Sequence, residues 1–287
     1  MPSLPAMIIA RLTLQETVRR RLVWAVFLLT ILIVALTGFG FSRLNTFTCA
    51  GAPCPAAEIR LAAAFFSILV AYMFDSVIAV GSSFVAALAI AADIESGVML
   101  ALLPRPIRRS DVVLGKWLGL VALIASYAIF AYSLQFAAVW LAVRYLPPQP
   151  IAAALYVTAQ GVVLMTLALL LSTRLTAITV GIVAVVLFGV AWIAGIAQAL
   201  GVAFENTVLT NVGTIISLLL PTDALWRNAI FNLEPIAAIA AAGGARFLAV
   251  NPFFVAMPPP TAYVYWAIGW TVAVLGLGVY SFQRRDL

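Results

Sequence analysis

Long apolar runs separated by short polar breaks organise this chain. Runs at 22–41, 61–91, 117–143, 151–171, 177–203 and 261–282 each reach the ~20 residues a helix needs to cross a bilayer. The second run exceeds that length, so its helix must tilt or project beyond the hydrocarbon. Ahead of the first run, residues 3–21 follow a different pattern. Leu4, Met7, Ile8, Leu12, Leu14 and Val18 alternate with Arg11, Gln15, Glu16 and Arg19 at roughly helical spacing. That pattern predicts an amphipathic helix lying in the membrane interface, its arginines toward the headgroups. The run 22–41 is too long for the core of a signal peptide, and no convincing cleavage site follows it, so an uncleaved first span is expected.

The polar breaks are unequal. Residues 42–60 form a small loop with the only two cysteines, Cys49 and Cys54. They close a short disulfide loop if the compartment is oxidising, or remain two free thiols. Arg144 and the Pro-rich 146–150 make a tight turn, and 172–176 another very short one. Residues 204–260 are the hardest to read. The apolar piece 212–220 is too short to cross. PTDALWRNAIFNLEP follows it, then an Ala-rich stretch, then NPFFVAMPPP. Pro, Gly and Asn argue against a full span through 236–250, so two or three short helices at the outer face are expected. Re-entrant backbone among them requires protein or a cavity around it.

Composition agrees with this outline. The chain is 65% hydrophobic and 9% charged, with a mean hydropathy of +1.14. These values define an all-α, polytopic membrane protein, read as one transmembrane domain over 1–287. There is no histidine, no cysteine cluster and few carboxylates. A metal site and His-based acid–base chemistry are therefore not expected. The net charge of +6 reflects charge placement across the membrane and gives no support to nucleic-acid binding.

That placement sets an orientation. With six spans and both termini cytoplasmic, eleven of the sixteen basic residues lie inside, and Arg43, Arg60, Arg144, Arg227 and Arg246 lie outside. The inverted topology would oppose the positive-inside bias. A cell-membrane protein with both ends in the cytoplasm is expected, with Arg284 and Arg285 marking the C-terminal cytoplasmic end.

Between the second and third spans, charge outweighs apolar content. The stretch 92–119 contains Asp93, Glu95, Arg105, Arg108, Arg109, Asp111 and Lys116, the chain's only lysine. Residues 99–103 can form a short apolar turn or two. Pro104 and Pro106 break it, and Ser110 or Asp111 is expected to cap the helix that follows. The order of Asp93, Glu95 and Gly97, then Leu100 to Leu103, then Pro106 and Arg109, then Leu114, Gly115 and Lys116 resembles the first cytoplasmic loop of type-2 ABC exporter permeases. Val98 departs from that pattern, where the family usually has Thr. Residues 220–227 also resemble the Pro-Thr-Asp stretch of permeases related to the nitrous-oxide-reductase maturation transporter.

The resemblance implies a permease subunit whose 92–116 loop docks on a separate ATPase chain. Asp93, Glu95, Gly97, Leu100, Leu103, Pro104, Arg105, Pro106, Arg109, Gly115 and Lys116 would carry that coupling. No Walker A pattern occurs, and Trp117 follows Gly115-Lys116 where a P-loop needs Ser or Thr. No cofactor is therefore expected on this chain, with ATP and Mg²⁺ on the partner. Six spans form half a pathway in that family, which implies a homodimer or a heterodimer with a second permease.

Within the second span, Asp75 is a carboxylate at membrane depth, and Tyr72, Ser82 and Ser83 share its face at helical spacing. Asp75 and Ser82 line a substrate path, or Asp75 makes a polar contact to Gln135 or Gln160. A different class of function would be a membrane-embedded enzyme, or a scaffold binding an extracytoplasmic partner through 204–260. An enzyme needs converging polar groups, and Asp75, Glu205, Asp223 and Glu234 are far apart in sequence.

Overall fold

Run length decides the main helices. The computed structural model describes residues 4–44, 46, 48–49, 52–95, 108–235, 254–255 and 258–285. Among the described residues are nine helices and one short ribbon: α1 (Leu4–Val18), α2 (Arg21–Leu44), β1 (Thr48–Cys49), β2 (Ala52–Pro53), α3 (Ala56–Glu95), α4 (Arg109–Val143), α5 (Pro150–Ser172), α6 (Ala177–Ala203), α7 (Thr207–Leu219), α8 (Thr222–Leu233) and α9 (Ala262–Gln283). Six helices, all but α1, α7 and α8, are long and apolar enough to cross a membrane. The protein is thus an all-α, multi-pass membrane protein. α3 has 40 residues, or about 60 Å at 1.5 Å per residue, twice the hydrocarbon thickness.

Local chemistry sets the helix ends. Pro55 precedes α3 and its carbonyl accepts from Glu58 and Ile59 N–H. α4 ends where Arg144 turns left-handed (φ 52°, ψ 36°) and returns its N–H to Trp140 O. The cost of that conformation in a residue with a Cβ is offset by the Arg144 guanidinium lying 4.3 Å from the Trp140 ring centroid. The start of α4 corrects the sequence expectation. Arg108, in extended conformation, holds the cap position without a side-chain bond. Ser110 and Asp111 instead fall inside the first turn, where Asp111 complements the helix dipole.

Small residues let the helices meet. α5 stands at the centre against α3, α4, α8 and α9, while α6 packs on α3 and α2 on α4. Ala63, Ala64, Ala71, Ala79, Ala86 and Ala87 give α3 a narrow buried face, as membrane helices need where dispersion is the main attraction. α2 faces mostly outward and is held to α4 by a Thr30–Tyr127 hydroxyl pair at 2.7 Å and by Thr37 donating to Gln135 Oε1 at 3.2 Å.

α1 forms over Leu4–Val18, within the 3–21 that the sequence predicts as helix. Its large apolar residues Met7, Ile8, Leu12 and Val18 are exposed, alongside Arg11, Gln15, Glu16 and Arg19. The buried face is made of Ala6, Thr13 and Thr17, against Gly115 and Gly119 of α4. A Cβ on Gly119 would lie 2.6 Å from Ala10 O, and one on Gly115 would lie 2.7 Å from Ala6 O. Backbone approach through the G-x-x-x-G pair determines the seat of α1. The outward surface still mixes apolar and basic groups, as an interfacial helix requires.

The stretch after α6 begins with two short helices, as the sequence predicts, and they form a bent, hairpin-like pair. α7 runs back along α6, with Gln198 donating to Thr214 at 2.9 Å and Gly213 against Ala194. α7 and α8 meet at 100°. α8 then returns until Asn232 O accepts from Gln149 N–H at the start of α5. The Ala-rich 236–250 lies outside the described residues.

Gly119→Val should unseat α1 and cost about 1–3 kcal/mol, read as a lower thermal midpoint in detergent. Gly276→Ala, where a Cβ meets nothing within 4 Å, should leave the midpoint unchanged.

Candidate functional site

The chain's one lysine cannot be left unpaired in a bundle of this composition. Lys116 is buried near the start of α4 and donates to Ala89 O and Asp93 Oδ2 on α3. It therefore ties together the two helices that flank 96–107. Glu95, in the last turn of α3, accepts from Ala177 N–H at 3.1 Å. A carboxylate there satisfies an orphan donor and complements the dipole of α6. Arg109 donates to Gln283 O at 3.1 Å and Arg285 O at 2.7 Å. Arg174 and Thr173, in the α5–α6 turn, bond Ser281 of α9. Arg285 donates back to Thr173 O.

Asp93, Glu95, Arg109 and Lys116 are thus brought together as a belt joining the ends of α3, α4, α6 and α9. Gly115 sits beside them, under α1. Gly97, Leu100, Leu103, Pro104, Arg105 and Pro106 lie outside the described residues. The sequence reading missed Ala177, Arg174, Ser281 and Arg285 as members of this belt. Their bonds run mostly to backbone or hydroxyl atoms, which leave no charge pattern to find.

A second polar cluster lies where the corner between α7 and α8 meets α3, α5 and α6. Asp75, Gln160, Phe188, Trp192, Thr222, Asp223 and Trp226 surround one small void. Asp223 takes Arg227 Nε at 2.7 Å, and Arg227 also donates to Gly195 O. A Cβ on Gly195 would overlap the Asp223 carboxyl group, so only glycine admits this pair. Tyr72 stacks edge-on against Trp226 with centroids 4.4 Å apart. Asp75 Oδ1, both Gln160 amide atoms and Thr222 Oγ1 are buried without a hydrogen-bond partner among the described residues.

Of the two neighbours suggested for Asp75, Gln160 lines the same void, while Gln135 accepts from Thr37 instead. Ser82 lies elsewhere. It donates to Ala79 O at 3.0 Å and lines a separate apolar cavity of about 630 Å³ between α2, α3 and α4. Asp223 converges with Asp75, but Glu205 and Glu234 do not share their void. Glu234, beyond α8, receives Val255 N–H on both oxygens at 3.1 and 3.2 Å. Burial pushes its carboxyl up to about 8, against the lowering effect of that bond. The i, i+4 spacing of Asp223 and Arg227 was the signal available in the sequence for the hairpin tip. Arg227, counted as an outer charge, is bonded within the bundle.

Cys54 is disulfide-bonded, and Cys49 is the chain's one other cysteine. Cys49 pairs with Ala52, and Thr48 with Pro53, in the β1–β2 ribbon. Among the described residues no group of His, Cys, Asp or Glu is arranged to hold a metal.

Six apolar helices, a bent helix pair and a belt of charges at one end define a multi-pass membrane protein. The family model for the ABC-2 family transporter protein matches residues 7–287, and the chain belongs to that family. Membership makes it the membrane component of an ABC transporter, a transport part and not itself an enzyme, and implies an ATP-binding partner. No curated protein matches the chain.

The Asp93–Lys116 pair is testable by itself. Lys116→Met or Asp93→Asn alone leaves a buried charge without its counter-charge and should cost about 3 kcal/mol. The double variant should cost less than the two singles combined, with a coupling of about 1–3 kcal/mol in chemical denaturation.

Proposed function

We propose that this chain is the permease subunit of an ATP-driven exporter. It works as a dimer, with itself or a second permease, and couples to a separate ATPase chain through residues 92–116. ATP and Mg²⁺ reside on that partner. The chain sits in the cell membrane with both termini and the 92–116 loop on the cytoplasmic side. The basic-residue bias supports this orientation, more so once Arg227 is recognised as internally bonded. The resemblance of 220–227 to permeases related to the nitrous-oxide-reductase maturation transporter is part of the same reading.

The observation that carries the proposal is the belt around 96–107. A push on that segment reaches α3 and α4 through Asp93–Lys116, α6 through Glu95, and α9 through Arg109. A merely solvated loop needs none of these bonds. In the proposal, Leu100 and Leu103 supply the apolar anchor on the ATPase, Arg105 sets register, and Pro104 and Pro106 end the docking helix. Asp75, at the hairpin tip, lines the path that opens.

Glu95→Ala and Gly97→Val should each uncouple the complex. ATPase would remain bound and folding intact, while transport in reconstituted vesicles falls at least about tenfold. Glu95→Gln, which keeps an acceptor for Ala177, should fall less, and Arg108→Lys should matter little. Normal transport in both Glu95→Ala and Gly97→Val would remove the coupling reading.

Asp75→Asn separates path from scaffold. The expected result is reduced transport with near-normal yield and thermal midpoint. Lower stability with unchanged transport per folded protein would assign Asp75 to packing alone.

A further inference from the structure

The apolar cavity beside Ser82 adjoins a second, smaller one. Val23, Val26 and Phe27 of α2 form one wall, α3 from Ser76 to Leu88 a second, and Leu120 to Tyr127 of α4 a third. A narrower crevice lined by Thr13, Glu16, Thr17, Arg20, Asp93 and Lys116 shares Val23, Val85 and Leu88 with it. An apolar chamber of about 630 Å³, within the range that holds small ligands, thus shares part of its wall with a small charged slot. That slot lies under the α1–α2 corner.

The corner is basic. Arg19, Arg20 and Arg21 follow one another where α1 ends and α2 begins, and Arg19 and Arg21 are exposed. Glu16 takes Arg20 at 2.7 Å and Asp93 takes Lys116. These two pairs cancel and leave Arg19 and Arg21 as surplus positive charge. Trp24 is 58% exposed one turn further along α2, and exposed indoles beside basic residues are a feature of membrane interfaces. Gly81 faces the chamber, and a Cβ on it would meet nothing within 4 Å. The shape is therefore one apolar slot beside a charged crevice that Arg20 lines, with Arg19 and Arg21 exposed on either side of Arg20 in the chain.

We propose that this slot holds one anionic phospholipid, its acyl chain between α2 and α3 against Gly81 and Ser82, and its phosphate on the Arg19–Arg21 corner. Basic pockets between membrane helices select such headgroups. The lipid fills the gap that α2 leaves by packing on α4 and scarcely on α3, and so joins the first span to the helix that ends at Asp93 and Glu95. The proposed orientation makes the donor the cytoplasmic leaflet; binding itself does not depend on it.

The test uses the purified full chain, with phosphatidylglycerol and phosphatidylcholine of matched acyl chains. Native mass spectrometry should show retained phosphatidylglycerol preferred over phosphatidylcholine by about tenfold, a 1.4 kcal/mol difference. The triple change Arg19→Gln, Arg20→Gln, Arg21→Gln should abolish the preference while leaving some retention of both lipids. Gly81→Leu, and more fully Gly81→Trp, should fill the chamber and lower retention of both lipids at an unchanged thermal midpoint. A diazirine-tailed phosphatidylglycerol provides a readout independent of either variant's folding, and should label residues 76–88 of the wild type. Equal retention of the two lipids by the wild type, or labelling absent from 76–88, would overturn the proposal. None of these measurements involves transport, so they stand or fall apart from the exporter reading.

Discussion

A backbone that bends sharply inside an apolar bundle must have its polar groups satisfied by protein, and that requirement shapes the half of the bundle around α7 and α8. Unsatisfied amides and carbonyls in such surroundings cost several kcal/mol each. At the start of α7, Asn206 accepts from Val208 and Leu209 N–H. At its far end, Trp266 and Trp270 of α9 donate to Leu218 O and Leu219 O, both at 2.9 Å. Two indoles one helical turn apart therefore close the carbonyl end of a helix from outside. Arg227 gives Gly195 O a donor while pairing with Asp223, so one guanidinium serves both a helix wall and a carboxylate. Remove these partners and the hairpin has no reason to enter the apolar bundle.

The hairpin tip and the charged belt are connected through the same two helices. α3 has Asp75 at the void and Asp93 and Glu95 at the belt. α6 has Gly195 at the tip and Ala177 at the belt. Glu95 bonding Ala177 closes the rectangle. A helix transmits displacement along its axis better than a loop does, because its hydrogen bonds lie parallel to that axis. In the proposed function, motion entering at 96–107 arrives at the tip through these two rods. The interhelical bonds at the belt keep them in step.

The six spans were legible because run length is a one-dimensional property. A stretch of twenty apolar residues has few alternatives in a chain of this hydropathy. α7 and α8 were legible as short helices, with 13 and 12 residues, but the bend that joins them was not, because it depends on how they pack against α5 and α6. α1 was half legible. Its exposed apolar residues stood out, but the face that seats it is Ala6, Thr13 and Thr17, residues whose value is that they take up little room. Gly115 was visible too, yet it was assigned to the loop motif. Its pairing with Gly119 becomes meaningful only once α1 lies across them. The same limit applies to Asp93 and Lys116, both named as coupling residues, whose mutual pairing depends on the antiparallel approach of α3 and α4.

Asp75 and Ser82 show why a shared helix is weak evidence for a shared site. They are seven residues apart, close to two turns of an α-helix, so the sequence places them on one stripe. α3, however, has different neighbours at the two levels. Around Asp75 the hairpin tip, α5 and α6 press in and leave only a small polar void. Around Ser82 the gap toward α2 opens and the lining turns apolar. A carboxylate in the first setting is held by the elements that would have to move for a path to open. A serine in the second has already satisfied its hydroxyl on Ala79 O and adds only small size to an apolar wall. One stripe of α3 therefore serves two chemistries, and the neighbouring helices, not the periodicity, decide which residue meets which.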